Sequence, residues 1–361
     1  MTGGPAEGSD PATGRTCESA DGAVPAGSTG GRDEKDRARN PTHDTDGGQV
    51  VPHSKPVVRV SSPTEARNPR TRDLDRLPTL EVLKLINDED QQVGARVREV
   101  LPQVAEAVDL GVAALRAGGR VHYVGAGTSG RLGVLDAAEL PPTFAVPPDW
   151  FVSHMAGGPT ALLHAVEDAE DDEESGRAEI AASAESRDLV VGLAASGRTP
   201  YVAGALRAAR EIGAATVLVT ANPGAALRHE VDVFIAVNTG PEVVAGSTRM
   251  KAGTAQKLVL NAFSTAVMVR LGRTYSNLMV DVVASNAKLR GRMLGILGEA
   301  TGADEETCAA ALSGADNELK TALVSLLGSV SPQQARTALR EADGHAHLAL
   351  RRLAERPHAQ G

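Results

Sequence analysis

The chain has 361 residues, 37 Lys+Arg against 46 Asp+Glu, and 42% hydrophobic residues, a size that holds about two domains of ordinary length. A net charge of −9 argues against a surface built to grip nucleic acid or an anionic membrane, since both need clustered Lys and Arg. The two cysteines, Cys17 and Cys308, are far apart and lack metal-ligand spacing, which excludes a disulfide framework or a Cys-based zinc site and fits a reducing cytoplasm.

Residues 1–60 are rich in Gly, Pro, Ser, Thr, Asp and Arg and contain no periodic apolar run. Such a segment cannot bury enough surface to offset its ordering entropy, so a disordered extension is expected. No basic stretch followed by an apolar core occurs there, and no run of about 20 apolar residues occurs anywhere, so neither a signal peptide nor a membrane-spanning helix is expected. Order should begin near Leu74, with Thr79 as N-cap of a helix carrying Leu80, Leu83 and Ile86. A second helix follows, its Val93, Val97, Val100, Val104, Val108 and Val112 spaced by threes and fours, with a kink at Pro102 and an end at Gly118-Gly119.

The pattern then changes to short β-branched runs alternating with helical segments: 121–124, 189–193, 217–219 and 233–237. This is the signature of a doubly wound α/β domain, a parallel sheet covered on both faces. Two long helices should span about 251–271 and 281–297, and four short ones about 305–312, 317–327, 332–341 and 345–353. The expected organisation is an extension over 1–60, an α/β domain with N-terminal helices over 61–298, and a small all-α part over 299–361.

In an open α/β sheet, ligands bind beyond the carboxyl ends of the strands. Two loops there look alike: Gly125-Ala126-Gly127-Thr128-Ser129-Gly130-Arg131 and Ala194-Ala195-Ser196-Gly197-Arg198-Thr199-Pro200. Both place small residues, hydroxyls and an Arg where a helix begins, so free N–H groups and the helix dipole can hold a phosphate despite the net negative charge. Thr199 should cap its helix and Pro200 should occupy its first turn.

The first loop also fits G-x-G-x-x-G, but a dinucleotide site needs a carboxylate at the end of the next strand. Trp150-Phe151-Val152 instead runs into Ser153-His154-Met155. A tight turn needing glycine explains one such loop; two hydroxyl-bearing loops point to a phosphorylated small molecule. One Trp, three Tyr and four Phe are too few for aromatic walls around a planar cofactor. A third segment, Gly246-Ser247-Thr248-Arg249-Met250-Lys251, reads first as an ordinary capped helix start.

These motifs, with Leu132-Gly133-Val134-Leu135-Asp136-Ala137-Ala138-Glu139, Pro141-Pro142-Thr143-Phe144 and Lys251-Ala252-Gly253-Thr254-Ala255-Gln256-Lys257, closely resemble the N-acetylmuramic acid 6-phosphate etherases from about Thr64 to Leu350. The resemblance implies a sugar isomerase (SIS) fold, no metal and no cofactor, a homodimer, and a ubiquitin-associated-like C-terminal module. It implies cleavage of the lactyl ether of N-acetylmuramate 6-phosphate in cytoplasmic cell-wall recycling. It assigns catalysis to Glu139 and Glu170, and substrate binding to Gly127, Thr128, Ser129, Ser196, Gly197, Arg198 and Thr199. The sequence departs from the family at Ala145 and Asp168, where Gly is usual, and at Pro159-Thr160, where an acid is common.

By pattern alone neither carboxylate stands out. Glu170 lies in an acidic run, 167–174, that reads as a solvated helix face. Glu139 lies far along the helix from the first loop, so a break near Pro141-Pro142 or a site completed by a second subunit is expected. Two carboxylates suit the chemistry, one as base at C2 of the opened sugar and one as acid at the departing lactate oxygen. The competing readings are a sugar-phosphate isomerase and a non-catalytic sugar-phosphate-binding regulator, the second having no need of both acids.

Overall fold

The β-branched runs form one sheet in the computed structural model, which describes residues 62–282 and 287–355. Its strands are β1 (Val121–Gly125), β2 (Phe151–Met155), β3 (Leu189–Leu193), β4 (Ala215–Thr220) and β5 (Val233–Ala236). They lie in the order β2-β1-β3-β4-β5 and pair in parallel throughout. The flanking helices are α1 (Thr79–Asp90), α2 (Val93–Glu99), α3 (Leu101–Arg116), α4 (Gly127–Phe144), α5 (Glu173–Ser183), α6 (Pro200–Glu211) and α7 (Lys251–Arg270). β1 and β3 are buried at every position, as strands covered on both faces must be.

One face packs on α3, α4 and α7 around Tyr123, Leu193, Phe263 and Val267; the other packs on α5 and α6 around Val124, Val190, Tyr201 and Leu206. The chain leaves β1 for β2 on one side and resumes at β3 on the other. The direction of winding therefore reverses between β1 and β3, and a crevice opens at their carboxyl ends. Gly125 and Leu193 are in register there, so the two look-alike loops start side by side.

Four expectations need correction. Order begins before Leu74: three 3₁₀ turns from Pro63 to Arg76 lie along the segment before α7, where Thr71 Oγ1 donates to Val243 O at 2.7 Å and Gly246 N to Thr64 O at 2.9 Å. Pro78, not Thr79, precedes α1, and no side chain caps it. The second helix breaks at Val100 rather than kinking, which puts Pro102 in the first turn of α3, where its missing N–H costs nothing. The helix expected from Asp281 starts later. A hairpin of β6 (Thr274–Tyr275) and β7 (Leu278–Met279) comes first, Val280 and Val282 are buried, and Asp281 accepts from Lys320 Nζ at 2.6 Å.

The remaining helices are α8 (Ala287–Thr301), α9 (Glu305–Gly314), α10 (Leu319–Gly328), α11 (Pro332–Glu341) and α12 (Ala346–Glu355). Met293, Ile296 and Leu297 of α8 share a core with Cys308, Leu312 and Leu323, and Val324, Ala338 and Ala349 form a second. The division expected at 298/299 therefore falls inside α8. The extension expected over residues 1–60 lies outside the described residues. Among the described residues no helix is long and apolar enough to cross a membrane.

Candidate active site

The first loop is built by close packing. A Cβ on Gly130 would lie 2.7 Å from Gly125 O, so strand end and helix start touch backbone to backbone. Gly127 has φ +53, a left-handed turn that lets α4 begin immediately. Gly130 N makes the helix's first bond, to Ala126 O at 3.2 Å, which leaves the amides of residues 127–129 facing the crevice. Thr128 stays half-exposed at its mouth. Ser129 does not: it is 9% exposed, and its hydroxyl donates to Gln256 Oε1 on α7 at 2.9 Å. Of the expected ligands in this loop, Ser129 thus offers its amide and commits its side chain to the core. Arg131 turns away to hold the carbonyls of Ala161 and Leu162 at 2.6 and 2.9 Å.

The second loop is held from outside. Thr220 Oγ1 donates to Ala195 O at 3.0 Å and Asn222 Nδ2 to Ser196 O at 3.1 Å. These bonds run to backbone carbonyls and leave the Ser196 hydroxyl out of the frame. Gly197 has φ +67, and a Cβ there would lie 2.2 Å from Ala225 Cβ. Thr199 is the N-cap of α6 and Pro200 sits in its first turn as expected, but the Thr199 side chain makes no capping bond. Ser196 and Thr199 are half-buried and Arg198 is exposed.

The acidic run is not one helix face. Asp172 caps α5 by accepting from Ser175 N at 2.9 Å, Glu173 pairs with Arg207, and Glu170 stands on a separate 3₁₀ turn, Ala169–Asp171, entered through Asp168 at φ +63. That turn walls a cavity of about 330 Å³ whose other sides include Ala126, Gly127 and Arg131. The cavity brings Glu170 to the N-terminus of α4. It does not bring Glu139, which is exposed. Twelve residues separate Glu139 from Gly127, about 18 Å along a helix. The expected break at Pro141-Pro142 is absent: α4 runs through both prolines and ends at Ala145, φ +49. Both Ala145 and Asp168, the residues standing where glycine is usual in the family, therefore adopt left-handed backbone.

The third segment is mostly structural. The fully buried Glu242 caps α7, accepting from the backbone N–H of Lys251 and of Ala252 at 3.0 and 2.9 Å. Burial raises its carboxyl above the usual range, against those two bonds. Lys251 is spent on Glu89 at 2.5 Å. Burial alone would raise Glu89, but hydrogen bonds from Lys251, Asn68 and Arg70 hold it below the usual range.

Sequence reasoning missed Asp136. It accepts from Tyr123 OH at 2.8 Å and from Ser264 Oγ at 3.0 Å, joining α4 to β1 and α7, and burial pushes its carboxyl up to about 6. Its partners lie in other elements, so only the Asp-Ala-Ala-Glu motif hinted at it. Among the described residues no three His, Cys, Asp or Glu side chains converge as a metal site requires.

The glucokinase regulatory protein N-terminal SIS domain family matches residues 103–210, and the SIS domain family matches residues 163–266. The phosphoheptose isomerase structure from Francisella tularensis aligns at 18% identity over 53% of this chain and 98% of that chain, with a TM-score of 0.43. The N-acetylmuramic acid 6-phosphate etherase of Pectobacterium atrosepticum is 53% identical over 80% of this chain and 95% of its own length. That of Thermobifida fusca is 67% identical over 76% of this chain and 90% of its own length. With the SIS fold and this identity over nearly the whole of such relatives, the chain belongs to the N-acetylmuramic acid 6-phosphate etherase family.

Proposed function

We propose that this enzyme cleaves the D-lactyl ether of N-acetylmuramate 6-phosphate to N-acetylglucosamine 6-phosphate and D-lactate. The observation that carries the reading is the cavity shared by Glu170 and the N-terminus of α4, an acid–base group beside an anion-binding helix end. The 6-phosphate sits on the amides of Gly127, Thr128 and Ser129, with Ser196, Gly197, Arg198 and Thr199 closing over it from the second loop.

Opening the sugar to its aldehyde acidifies the C2 proton. Glu170 removes that proton, the C3–O bond breaks as Glu139 protonates the departing lactate oxygen, and a C2=C3 double bond forms. Glu139, now ionised, takes a proton from water as its oxygen adds at C3, and Glu170 returns a proton to C2. The net change is one water consumed. The distance of Glu139 from the first loop favours a homodimer in which each subunit lends Glu139 to its partner's site. Residues 1–60 serve as an extension outside this machinery, the SIS body follows, and α8 to α12 form a helical appendage. A cytoplasmic location belongs to the same reading, because a sugar phosphate does not cross an apolar bilayer unaided.

The test is D-lactate release from N-acetylmuramate 6-phosphate, with the unphosphorylated sugar as control. Glu139→Ala should release almost no lactate yet still exchange the C2 hydrogen with deuterated water. Glu170→Ala should lose both, each carboxyl contributing about 10²–10⁴-fold. Isomerised sugar phosphate without lactate would overturn the reading in favour of an isomerase.

A further inference from the structure

Behind the second loop, on the face of the sheet covered by α5 and α6, lies a row of polar side chains that the chemistry above does not use. Asp188, just before β3, accepts the amides of Arg120 at 2.8 Å and Glu185 at 2.7 Å. Its Oδ2 lies 3.1 Å from His122 Nε2 on β1. His122 Nδ1 lies 2.9 Å from His154 Nε2 on β2, and His154 Nδ1 lies 3.4 Å from Glu179 Oε2 on α5. The same Glu179 oxygen accepts Tyr201 OH at 2.7 Å. Tyr201 is fully buried in the first turn of α6, two residues after Thr199. Nothing separates that turn from α5: a Cβ on Gly176 would lie 2.0 Å from Tyr201 O.

The protons in this row can be counted. The contacts Asp188–His122, His122–His154 and His154–Glu179 each need one hydrogen, and two neutral imidazoles carry one N–H each. Two contacts are therefore closed and one is open. With both Asp188 oxygens already accepting backbone amides, His122 gives its N–H to Asp188 and His154 gives its own to His122. The open contact is His154 Nδ1 against Glu179, a lone pair facing a carboxylate. One added proton on His154 closes it and sets an imidazolium against Glu179, drawing on the charge that makes the Tyr201 bond strong.

We propose that His154 is a positioning residue whose protonation, through Glu179 and Tyr201, sets how firmly the first turn of α6 is held and hence how tightly the second loop binds the substrate phosphate. Binding should weaken in acid. The charged and titratable groups facing the pair are Arg120, Asp188, Glu179 and Tyr201; α4 with Asp136 packs on the opposite face of β1 and β2. Burial holds both imidazoles below the usual histidine range, opposed at His154 by Glu179, so the change falls on the acid side of neutrality.

The proposal rests on reading the second loop as the phosphate site, and the experiment separates the two. In Glu179→Gln an amide nitrogen in place of that shared oxygen offers one N–H to His154 Nδ1 and the other to the Tyr201 hydroxyl oxygen, closing the row without a titrating charge. Full-length wild type and Glu179→Gln are compared for KM and kcat on N-acetylmuramate 6-phosphate from pH 5 to 7.5, so that the substrate's own titration cancels. The wild-type KM should rise about fivefold more than the variant's on acidification, the difference between a charged and a neutral hydrogen bond, with kcat following the same profile in both. Imidazole proton NMR should show His154 titrating below the usual range, assigned by its absence in His154→Gln. Identical KM profiles for the two proteins, or a His154 titration no different from a free histidine, would overturn the proposal. If instead Ser196→Ala leaves KM unchanged, the phosphate-site reading fails whatever the imidazoles do.

Discussion

The loops after β1 and β3 read almost alike and are held in opposite ways. The first is fastened by its own side chains: Ser129 to Gln256, Arg131 to the 161–162 carbonyls, and Asp136 further along the same helix to Tyr123 and Ser264. The second is fastened by its neighbours, Thr220 at the end of β4 and Asn222 just past it reaching in to its backbone carbonyls. A serine bound into the frame serves the fold; a serine left out of it is available to a ligand. Residue type alone does not tell these apart, because the difference lies in which partner supplies the bond.

Five substitutions would break or sharpen that contrast. Gly130→Ala pushes a Cβ to 2.7 Å from Gly125 O, backbone that cannot yield, and to 3.0 Å from Met155 Cγ. We expect it to cost about 3 kcal/mol or more in urea unfolding, and unchanged stability would mean the first loop is not close-packed.

Asp136→Asn should reshape the pH dependence of stability. A carboxyl raised to about 6 in the folded chain, against an ordinary value when unfolded, binds more protons folded than unfolded. Its contribution is present below pH about 4 and is lost as pH rises through about 6. Wild type should therefore lose on the order of 3 kcal/mol from this group between those limits, and the Asn variant should not. Parallel stability curves for the two proteins would remove Asp136 from the frame of the first loop.

The serine pair is the sharpest test. Ser129→Ala leaves Gln256 Oε1 without its donor, on a side chain whose Nε2 is already unpaired, and should cost about 1–3 kcal/mol of stability. Ser196→Ala should leave the melting temperature alone and weaken substrate binding by a similar amount. A reversed result would exchange the roles of the loops. The smallest effect is expected at the end of α4, where Ala145→Gly relieves a left-handed alanine and should stabilise by about 1 kcal/mol or less.

The strands and short C-terminal helices were legible because β-branched runs and threes-and-fours spacing are local signals. Both look-alike loops were legible as well, as helix starts marked by small residues and hydroxyls. What stayed hidden depends on partners far along the chain. Ser129 is buried by a glutamine 127 positions later. Residues 280–282 stay outside α8 with Asp281 held by Lys320 and Arg273, and residues 62–76 are ordered by the strip before α7 rather than by any period of their own. Glu139 and Glu170 came from family resemblance. The acidic run around Glu170 looks like a solvated face until its 3₁₀ turn is seen, and the double proline after Glu139 suggested a break that the helix does not make.

That unbroken helix has a consequence for genetics. If α4 carries a phosphate anchor for one site at its start and a proton donor for another near its end, the two defects of a Glu139→Ala and a Glu170→Ala protein lie in different sites of a mixed dimer. One of its two sites then inherits both intact carboxyls and the other inherits neither. Two inactive proteins, mixed and allowed to exchange subunits, should recover about a quarter of wild-type turnover, since half the dimers are mixed and half their sites are whole. Alleles that fail alone would complement each other in one cell.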